Sequence, residues 1–358
     1  MNFDRLQRSL LWRRGFVLAA LLVSGALAAQ GQRGSTTLVV TSTNDPNNNA
    51  VVVFELQPGG APSLTLSQIV PTGGKGGASG NAGIVQFDGE LGAVANYGSN
   101  SVIQLIRYGN GIVPGGTKRL APDCEGPDSV ALGQGHLYVV GKNCAESHTW
   151  PRGSLDGSVV SLADNSAAQI AVGRSWAAVT MTSGSVLHLP LAGDGGLSGA
   201  SSAISLPAEA NNTPLGEAFW GDVLGFTPAH SADSFAIVNA KQDVYPVVGP
   251  TPAYPTNAPC WVAKGAGNVW YTGNSPGQAI SIFFSDADGG VFYKSVPVPG
   301  VPTDITVSPD GNWLAVIYTA ADGAHVGVYS IDAYGGLMQA AVSPAIDVAS
   351  FSGVAFSQ

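Results

Sequence analysis

Charged side chains are scarce in this sequence. Lys, Arg, Asp and Glu together make up 11% of its 358 residues, less than half their usual share. The Ala-, Glu-, Lys-, Leu- and Arg-rich composition of helical bundles is missing, and each of the 48 glycines would cost a helix about 1 kcal/mol relative to alanine. Helical folds are therefore disfavoured, whereas 45% hydrophobic residues can fill a large core and argue against disorder.

Basic residues are also few, at 15 against 24 acidic ones, which gives a formal net charge of −9. An acidic chain without a basic stripe gains nothing by releasing counterions from nucleic acid, and anionic membrane surfaces repel it. We expect neither a nucleic-acid partner nor, after removal of the N-terminal segment described below, a membrane partner.

Several catalytic and binding motifs are absent from the sequence. It contains no HExxH, no paired CxxC, no glycine-rich phosphate loop before a helix, and no GxSxG elbow. The functions of zinc protease, nucleotide-binding enzyme and serine esterase are therefore disfavoured. We predict neither a metal ion nor a cofactor.

The N-terminus has the pattern of a signal peptide. Residues 1–14 are basic, residues 15–28 are apolar, and the apolar run ends on Ala26-Leu27-Ala28, a site that signal peptidases accept. Fourteen residues span about 21 Å as a helix, less than a bilayer core, although an uncleaved anchor is the alternative. Arg13-Arg14 also resembles a twin-arginine signal. We predict a cleaved peptide over 1–28 and a periplasmic or secreted, monomeric domain over 29–358.

The remaining chain repeats one pattern of short alternating strands and glycine turns, with glycine pairs recurring about every 43 residues. This is the spacing of four-stranded propeller blades. The predicted units are 81–125, 126–165, 166–208, 209–258, 259–301, 302–351 and one built from both chain ends.

The two chain ends complement each other. Residues 36–42 have the pattern of a second strand with no first strand before it, and residues 352–357 have that of a first strand with no second strand after it. Pairing them closes the ring and hides two sheet edges. The sequence therefore predicts an all-β, seven-bladed β-propeller closed by the C-terminal strand; a β-sandwich or two separate β domains is the alternative.

These repeats resemble the lactonase-type seven-bladed propellers, which include bacterial 6-phosphogluconolactonase and fungal 3-carboxymuconate cyclase. The resemblance covers 29–358 and is most specific at 258–263 (APCWVA) and 270–274 (WYTGN). It implies the propeller fold and a lactonase-like activity. No catalytic residue of the family maps onto this sequence, and the basic cluster expected for a phosphorylated substrate is missing.

Three cysteines occur in this exported chain. Cys124 precedes the inner strand near 128–132, and Cys144 begins the loop after 136–140, so both map to one rim of the same blade. We predict a disulfide between them, with two buried thiols as the alternative. Cys260, beside Trp261, is either a small buried hydrophobe or a catalytic thiol.

Candidate site residues are those that the repeat places on the rim where the chain enters the inner strands. Asp128 and Asp304 occupy equivalent positions at the starts of inner strands. Two carboxylates in one cavity can serve as acid and base, whereas capping of nearby backbone amides is the alternative. We predict that both contact substrate.

Two insertions are predicted on the same rim. The first, 141–156, carries His148, Trp150 and Arg152, which could form a lid; an ordinary surface loop is the alternative. The second, 209–221, carries Glu217 and Trp220, and Lys241 follows in a later turn.

Two functions fit these residues. The first is hydrolysis of a small lactone by general acid-base catalysis, with Glu217 or His148 moving the proton and Arg152 or Lys241 stabilising the oxyanion. The second is non-catalytic binding of a protein, peptide or glycan through loops such as 44–49 and the tryptophans Trp150 and Trp220. Redox or metal chemistry, suggested by export in the folded state, is a weaker third.

Overall fold

Seven four-stranded antiparallel sheets surround one axis in the computed structural model. The structure describes residues 36–78, 82–152, 158–231, 234–249 and 257–358, and residues 37–358 form one compact unit. The predicted signal peptide lies outside these ranges. Within them, no helix has the length and hydrophobicity needed to span a membrane.

Each sheet is one blade. From the innermost strand outward, the strands are as follows: blade 1, β28 (Ser352–Ser357), β1 (Thr37–Ser42), β2 (Ala50–Gln57) and β3 (Ser63–Pro71); blade 2, β4 (Val85–Asp88), β5 (Leu91–Asn96), β6 (Ser101–Tyr108) and β7 (Gly111–Arg119); blade 3, β8 (Pro127–Gly133), β9 (His136–Gly141), β10 (Cys144–Thr149) and β11 (Val160–Ser161); blade 4, β12 (Ala167–Val172), β13 (Trp176–Met181), β14 (Ser185–Pro190) and β15 (Ser202–Ile204).

The last three blades continue around the ring. Their strands are as follows: blade 5, β16 (Pro214–Trp220), β17 (Val223–Pro228), β18 (Ser234–Val238) and β19 (Val244–Val248); blade 6, β20 (Pro259–Lys264), β21 (Val269–Asn274), β22 (Ala279–Asp286) and β23 (Gly289–Pro297); blade 7, β24 (Val301–Val307), β25 (Trp313–Ala320), β26 (Gly323–Ile331) and β27 (Leu337–Val342).

Burial along the strands explains the low charge of the sequence. The second strands β9 and β13 are buried at every position, because neighbouring blades cover both of their faces. The outermost strand β23 instead alternates between partly buried and exposed side chains, among them the exposed Val291 and Tyr293. Buried and exposed side chains thus alternate in a strand such as β23, which has one face in solvent. Continuous apolar runs occur in strands such as β9 and β13, which are packed between blades.

The ring closes as predicted. Strand β28 pairs antiparallel with β1, so the last strand of the chain becomes the innermost strand of blade 1. Two side chains reinforce this junction: the buried Thr41 hydroxyl donates to the Gly353 carbonyl over 2.7 Å, and the Arg107 guanidinium donates to the Ser357 carbonyl. The seven predicted units match the seven observed blades.

Both predicted insertions are wrong in part. Residues 214–220 of the second insertion form the inner strand β16, which contains Glu217 and Trp220. Residues 144–149, placed in an insertion between second and third strands, form the third strand β10, and only residues 142–143 separate it from β9. The polar pattern was misleading because His148 Nε2 and Glu146 Oε1 pair at 2.8 Å inside the protein. The long connection in blade 3 therefore follows β10, between the third and fourth strands, and lies on the rim opposite to the predicted one.

The predicted disulfide is present between Cys124 and Cys144, whose Cα atoms lie 5.5 Å apart. It joins the loop before β8 to the first residue of β10. Cys260 is free, and burial raises its thiol pKa to about 12. A thiolate is the reactive form of cysteine, so the raised pKa of this partly buried residue favours the hydrophobic interpretation over the catalytic one.

A segment between β3 and β4 reaches into the centre of the ring. We call residues 72–78 and 82–84 the strap. Its outer part is held by Asn44, whose Oδ1 accepts hydrogen bonds from the amides of Gly77 and Ala78. At its inner end Gly83 donates to Asp304 Oδ2 over 3.3 Å, and its carbonyl accepts from the Val130 amide over 2.9 Å. Gly83 therefore bridges blades 3 and 7 across the axis.

Removing the disulfide should destabilise the fold. The bond closes a loop of sequence separation 20, for which the loop-entropy relation gives about 3 kcal/mol. We expect a Cys124→Ser, Cys144→Ser variant to lose about that much free energy of unfolding in urea titrations. Dithiothreitol should lower the stability of the native chain and leave the variant unchanged; equal stability of both proteins without reductant would contradict the prediction.

Adding a side chain at Gly83 should loosen the strap. Gly83 has a φ of +70°, and a Cβ there would lie 2.8 Å from Ser129 Oγ. Gly109 provides a matched control, since its φ is +60° and a Cβ would meet nothing within 4 Å. We expect Gly109→Ala to cost about 1 kcal/mol and Gly83→Ala about 3 kcal/mol of unfolding free energy. Equal losses would show that Gly83 is not tightly enclosed.

Candidate functional site

The inner strands of the blades enclose a central cavity of about 230 Å³. Every inner strand is the edge of its sheet, so one side of its backbone faces the axis without a partner strand. Side chains from blades 2 to 7 line the cavity together with Gly83 of the strap and Val354 of β28. Backbone N–H and C=O groups thus supply polar contacts throughout the wall.

The cavity opens at the rim where the inner strands end. Gln86, Leu132, Val172 and Val307, near those ends, are partly exposed. Residues nearer the strand starts, such as Gln169 and Asp304, are buried. We call the open end the mouth. The sequence predicted access from the opposite rim, and the strap explains the difference because Gly83 crosses the axis there.

Glu217 lies in the middle of β16 and lines this cavity. Its exposed fraction is 1%, and neither carboxyl oxygen has a hydrogen-bond partner of good geometry among the described residues. Burial raises the pKa of Glu217 well above its usual value, and the facing amides of Ala171 and Thr180 oppose the shift only partly. Burial therefore favours the protonated form of the group, which can donate a proton.

Gln169, on β12, is fixed next to Glu217. Its Oε1 accepts a hydrogen bond from the Glu217 amide over 2.7 Å. Its Nε2 lies next to Gly83, since a Cβ added to that glycine would be 3.3 Å from the nitrogen. A side-chain amide held in this way presents N–H donors to the cavity. Gln169 was not predicted from the sequence, because an isolated glutamine in an apolar strand carries no motif.

Asp304 closes the inner end of the cavity wall. Its carboxylate accepts hydrogen bonds from the amides of Ile305 (2.8 Å) and Gly83 (3.3 Å), and the Val354 amide also faces it. Burial raises the pKa of Asp304 to about 7 despite these donors. Asp304 thus makes the backbone contacts of the capping alternative, and it also places a titratable group in the cavity wall.

Lys264 lies at the mouth, at the end of β20. Its Nζ donates to the carbonyls of Gly265, Gly267 and Val269 over 2.6, 2.6 and 3.2 Å. The ammonium also lies 5.1 Å from the ring centroids of Trp220 and Trp270. Partial burial lowers the pKa of Lys264 to about 8. This lysine was not predicted from the sequence either.

The other predicted site residues do not meet at the cavity. Asp128 begins β8 and is buried on the closed side of the ring. His148 pairs with Glu146 in the third strand of blade 3, and Trp150 and Arg152 follow that strand. None of the four predicted residues, Asp128, His148, Trp150 and Arg152, lines the cavity.

Two further predicted residues lie on the rim that carries the mouth, which is opposite to the rim predicted for them. Trp220 ends β16 and is 44% exposed. Lys241 is exposed in the turn between the third and fourth strands of blade 5, away from the axis.

One group of potential metal ligands stands close together in the described ranges: Cys124, Cys144 and Glu146. The two sulfurs are joined in the disulfide and are not thiolates, so this set does not fit a metal ion.

Comparisons with known proteins identify the fold. No protein-family model matches the chain, and no curated protein is similar in sequence. Among solved structures, the periplasmic gluconolactonase of Pseudomonas aeruginosa superposes with a TM-score of 0.65 and 13% identity over 90% of this chain and 99% of that one. A candidate 6-phosphogluconolactonase from Bacteroides fragilis gives 0.64 and 12% over 92% and 99%.

A third similar structure has a different activity. An inactive variant of virginiamycin B lyase from Staphylococcus aureus superposes with a TM-score of 0.57 and 15% identity over 80% of this chain and 93% of that one. At such identities the similarity concerns the fold and leaves the reaction open. The resemblance expected from the sequence is confirmed at that level: the chain has the architecture of the lactonase-type seven-bladed propellers.

Proposed function

We propose that this protein is an exported hydrolase of small lactones, with its active site in the central cavity. The observation that carries the proposal is Glu217, a fully buried carboxyl group that lines the cavity and has no hydrogen-bond partner of good geometry among the described residues. An unpaired buried acid costs stability and is characteristic of active sites. The fold shared with two lactonase-type structures supports the same reaction class.

Three side chains of the cavity wall supply the groups that lactone hydrolysis needs. Asp304, in its ionised form, accepts a proton from the water that attacks the ring carbonyl carbon. Gln169 donates an N–H to the oxygen that becomes negative in the tetrahedral intermediate. Glu217 then gives its proton to the ring oxygen as the carbon–oxygen bond breaks. The product is a hydroxy acid, and proton exchange with water restores both carboxyl groups.

The two acids are suited to these opposite roles because their environments differ. Burial raises the pKa of Asp304 to about 7 against the opposing effect of three facing backbone amides, whereas no hydrogen bond of good geometry from the described residues supports an ionised Glu217. Separation of the pKa values of two carboxyl groups is the usual basis of acid and base assignment. Export agrees with the disulfide, which persists in oxidising compartments.

Replacing Glu217 by glutamine should abolish activity and raise stability together. Glutamine keeps the shape but has no acidic proton, so kcat should fall by about 10²- to 10⁴-fold. The pKa of Glu217 is higher in the folded state than in the unfolded state. The glutamate therefore contributes to stability at pH values below its unfolded-state pKa, and this contribution is lost as the pH rises. Glu217→Gln should therefore have a higher Tm than the native protein at pH 8, with the difference vanishing near pH 4.

Glu209, an exposed glutamate outside the cavity, provides the matched control. Glu209→Gln should change neither kcat nor the pH dependence of Tm. If Glu217→Gln kept full activity, Glu217 would not be the acid, and if its Tm fell at pH 8, the residue would have a structural partner.

The pH dependence of kcat/KM should be bell-shaped. The rate should rise as Asp304 ionises, with a midpoint at about 7, and should fall at higher pH as Glu217 loses its proton. Initial rates measured with a pH-stat between pH 5 and 9, corrected for spontaneous lactone hydrolysis, test this. A rate that increases without a maximum would indicate simple hydroxide attack and would contradict the assignment of Glu217.

A further inference from the structure

The cavity offers no available cation to an anionic ligand. Lys264 is the one lysine or arginine among the described residues that line it. An ammonium group has three protons, and all three of Lys264 are donated to the carbonyls of its own hairpin. A phosphate or carboxylate would have to displace these carbonyls, which would then lose their hydrogen bonds.

The rim around the mouth repels anions as well. The ends of the inner strands and the hairpins that follow them carry four acidic residues, Asp88, Glu90, Asp222 and Asp310, against two basic ones, Arg174 and the internally bonded Lys264. Arg107 also lies near Glu90. Arg174 lies on the blade 4 hairpin, where Asp222 Oδ1 accepts a hydrogen bond from its backbone amide. Because low-dielectric walls focus the field of charges around a cleft, anions are depleted at the mouth.

The size of the cavity limits the ligand to a single ring. Its volume of about 230 Å³ is below the usual range for ligand pockets, about 300 to 1,000 Å³. The strap closes its inner end at Gly83. Uncharged ring hydroxyls can nevertheless bind, since the unpaired strand edges present N–H and C=O groups.

We infer that the cavity selects uncharged, monocyclic lactones and rejects phosphorylated or carboxylated ones. This inference rests on the proposed lactonase function and specifies its substrate class. It also bears on product release: hydrolysis creates a carboxylate inside a cavity whose described lining residues offer no available cation, so the product is bound more weakly than the substrate.

A matched pair of substrates tests the inference. D-Glucono-δ-lactone and its 6-phosphate differ only in the phosphate group. With the full protein at pH 7 and low ionic strength, we expect kcat/KM for the uncharged lactone to be larger by about 100-fold, the effect of roughly two unpaired charge contacts. Sodium gluconate should be a weak inhibitor.

A variant that supplies a free cation provides the second arm. Val307 lies at the mouth and is partly exposed, so Val307→Lys should raise kcat/KM for the phosphorylated lactone about tenfold, and Val307→Met should not. Equal rates for the two lactones, or a ratio unchanged by Val307→Lys, would overturn the inference and leave the lactonase function intact. No enzymatic hydrolysis of either lactone would overturn the function itself, and the inference with it.

Discussion

The pairing of the last strand with the first determines the geometry of everything else. Seven blades can share one axis only if the ring is closed, and closure depends on β28 entering blade 1 beside β1. Once the ring is closed, the remaining free strand edges that face inward surround the axis. They enclose a polar cavity at the centre of a protein whose sequence is otherwise poor in charge.

That cavity accounts for the electrostatics of the site. Side chains on inner strands are shielded by neighbouring blades on two sides and by the strap at one end. Glu217 and Asp304 are consequently removed from water, and their pKa values rise for the same reason. They differ in their partners: Asp304 faces the amides of Ile305, Gly83 and Val354, whereas Glu217 has no partner of good geometry among the described residues. The proposed roles of base and acid rest on this difference.

The scaffold could be predicted because each propeller blade repeats the same sequence pattern at a regular spacing. Glycine pairs, alternating strands and the unmatched halves at the two ends are all local signals, and together they indicated seven blades and their closure. The disulfide followed from the same register. Tyr271 and Trp270, each buried in the second strand of blade 6, show why the strands are so apolar.

The site was only partly predictable, for two physical reasons. The strap is a nonrepeating segment, and nothing in its sequence shows that Gly83 crosses the axis, so the accessible rim was assigned to the wrong side. His148 was placed in a loop because a polar strand residue cannot be distinguished from a loop residue when its partner, Glu146, neutralises it inside the protein. Glu217 and Asp304 were identified from topology, whereas Gln169 and Lys264 acquire their roles only through contacts between blades or within one hairpin.

The contacts of Asp304 also determine which parts of the chain must be present before the cavity wall can form. Its carboxylate faces amides from the strap, from blade 7 and from Val354 of β28, three segments that leave the ribosome at very different times. The cavity wall therefore cannot be complete until the C-terminal residues have been synthesised and docked. A chain without β28 would have six complete blades and an incomplete cavity wall.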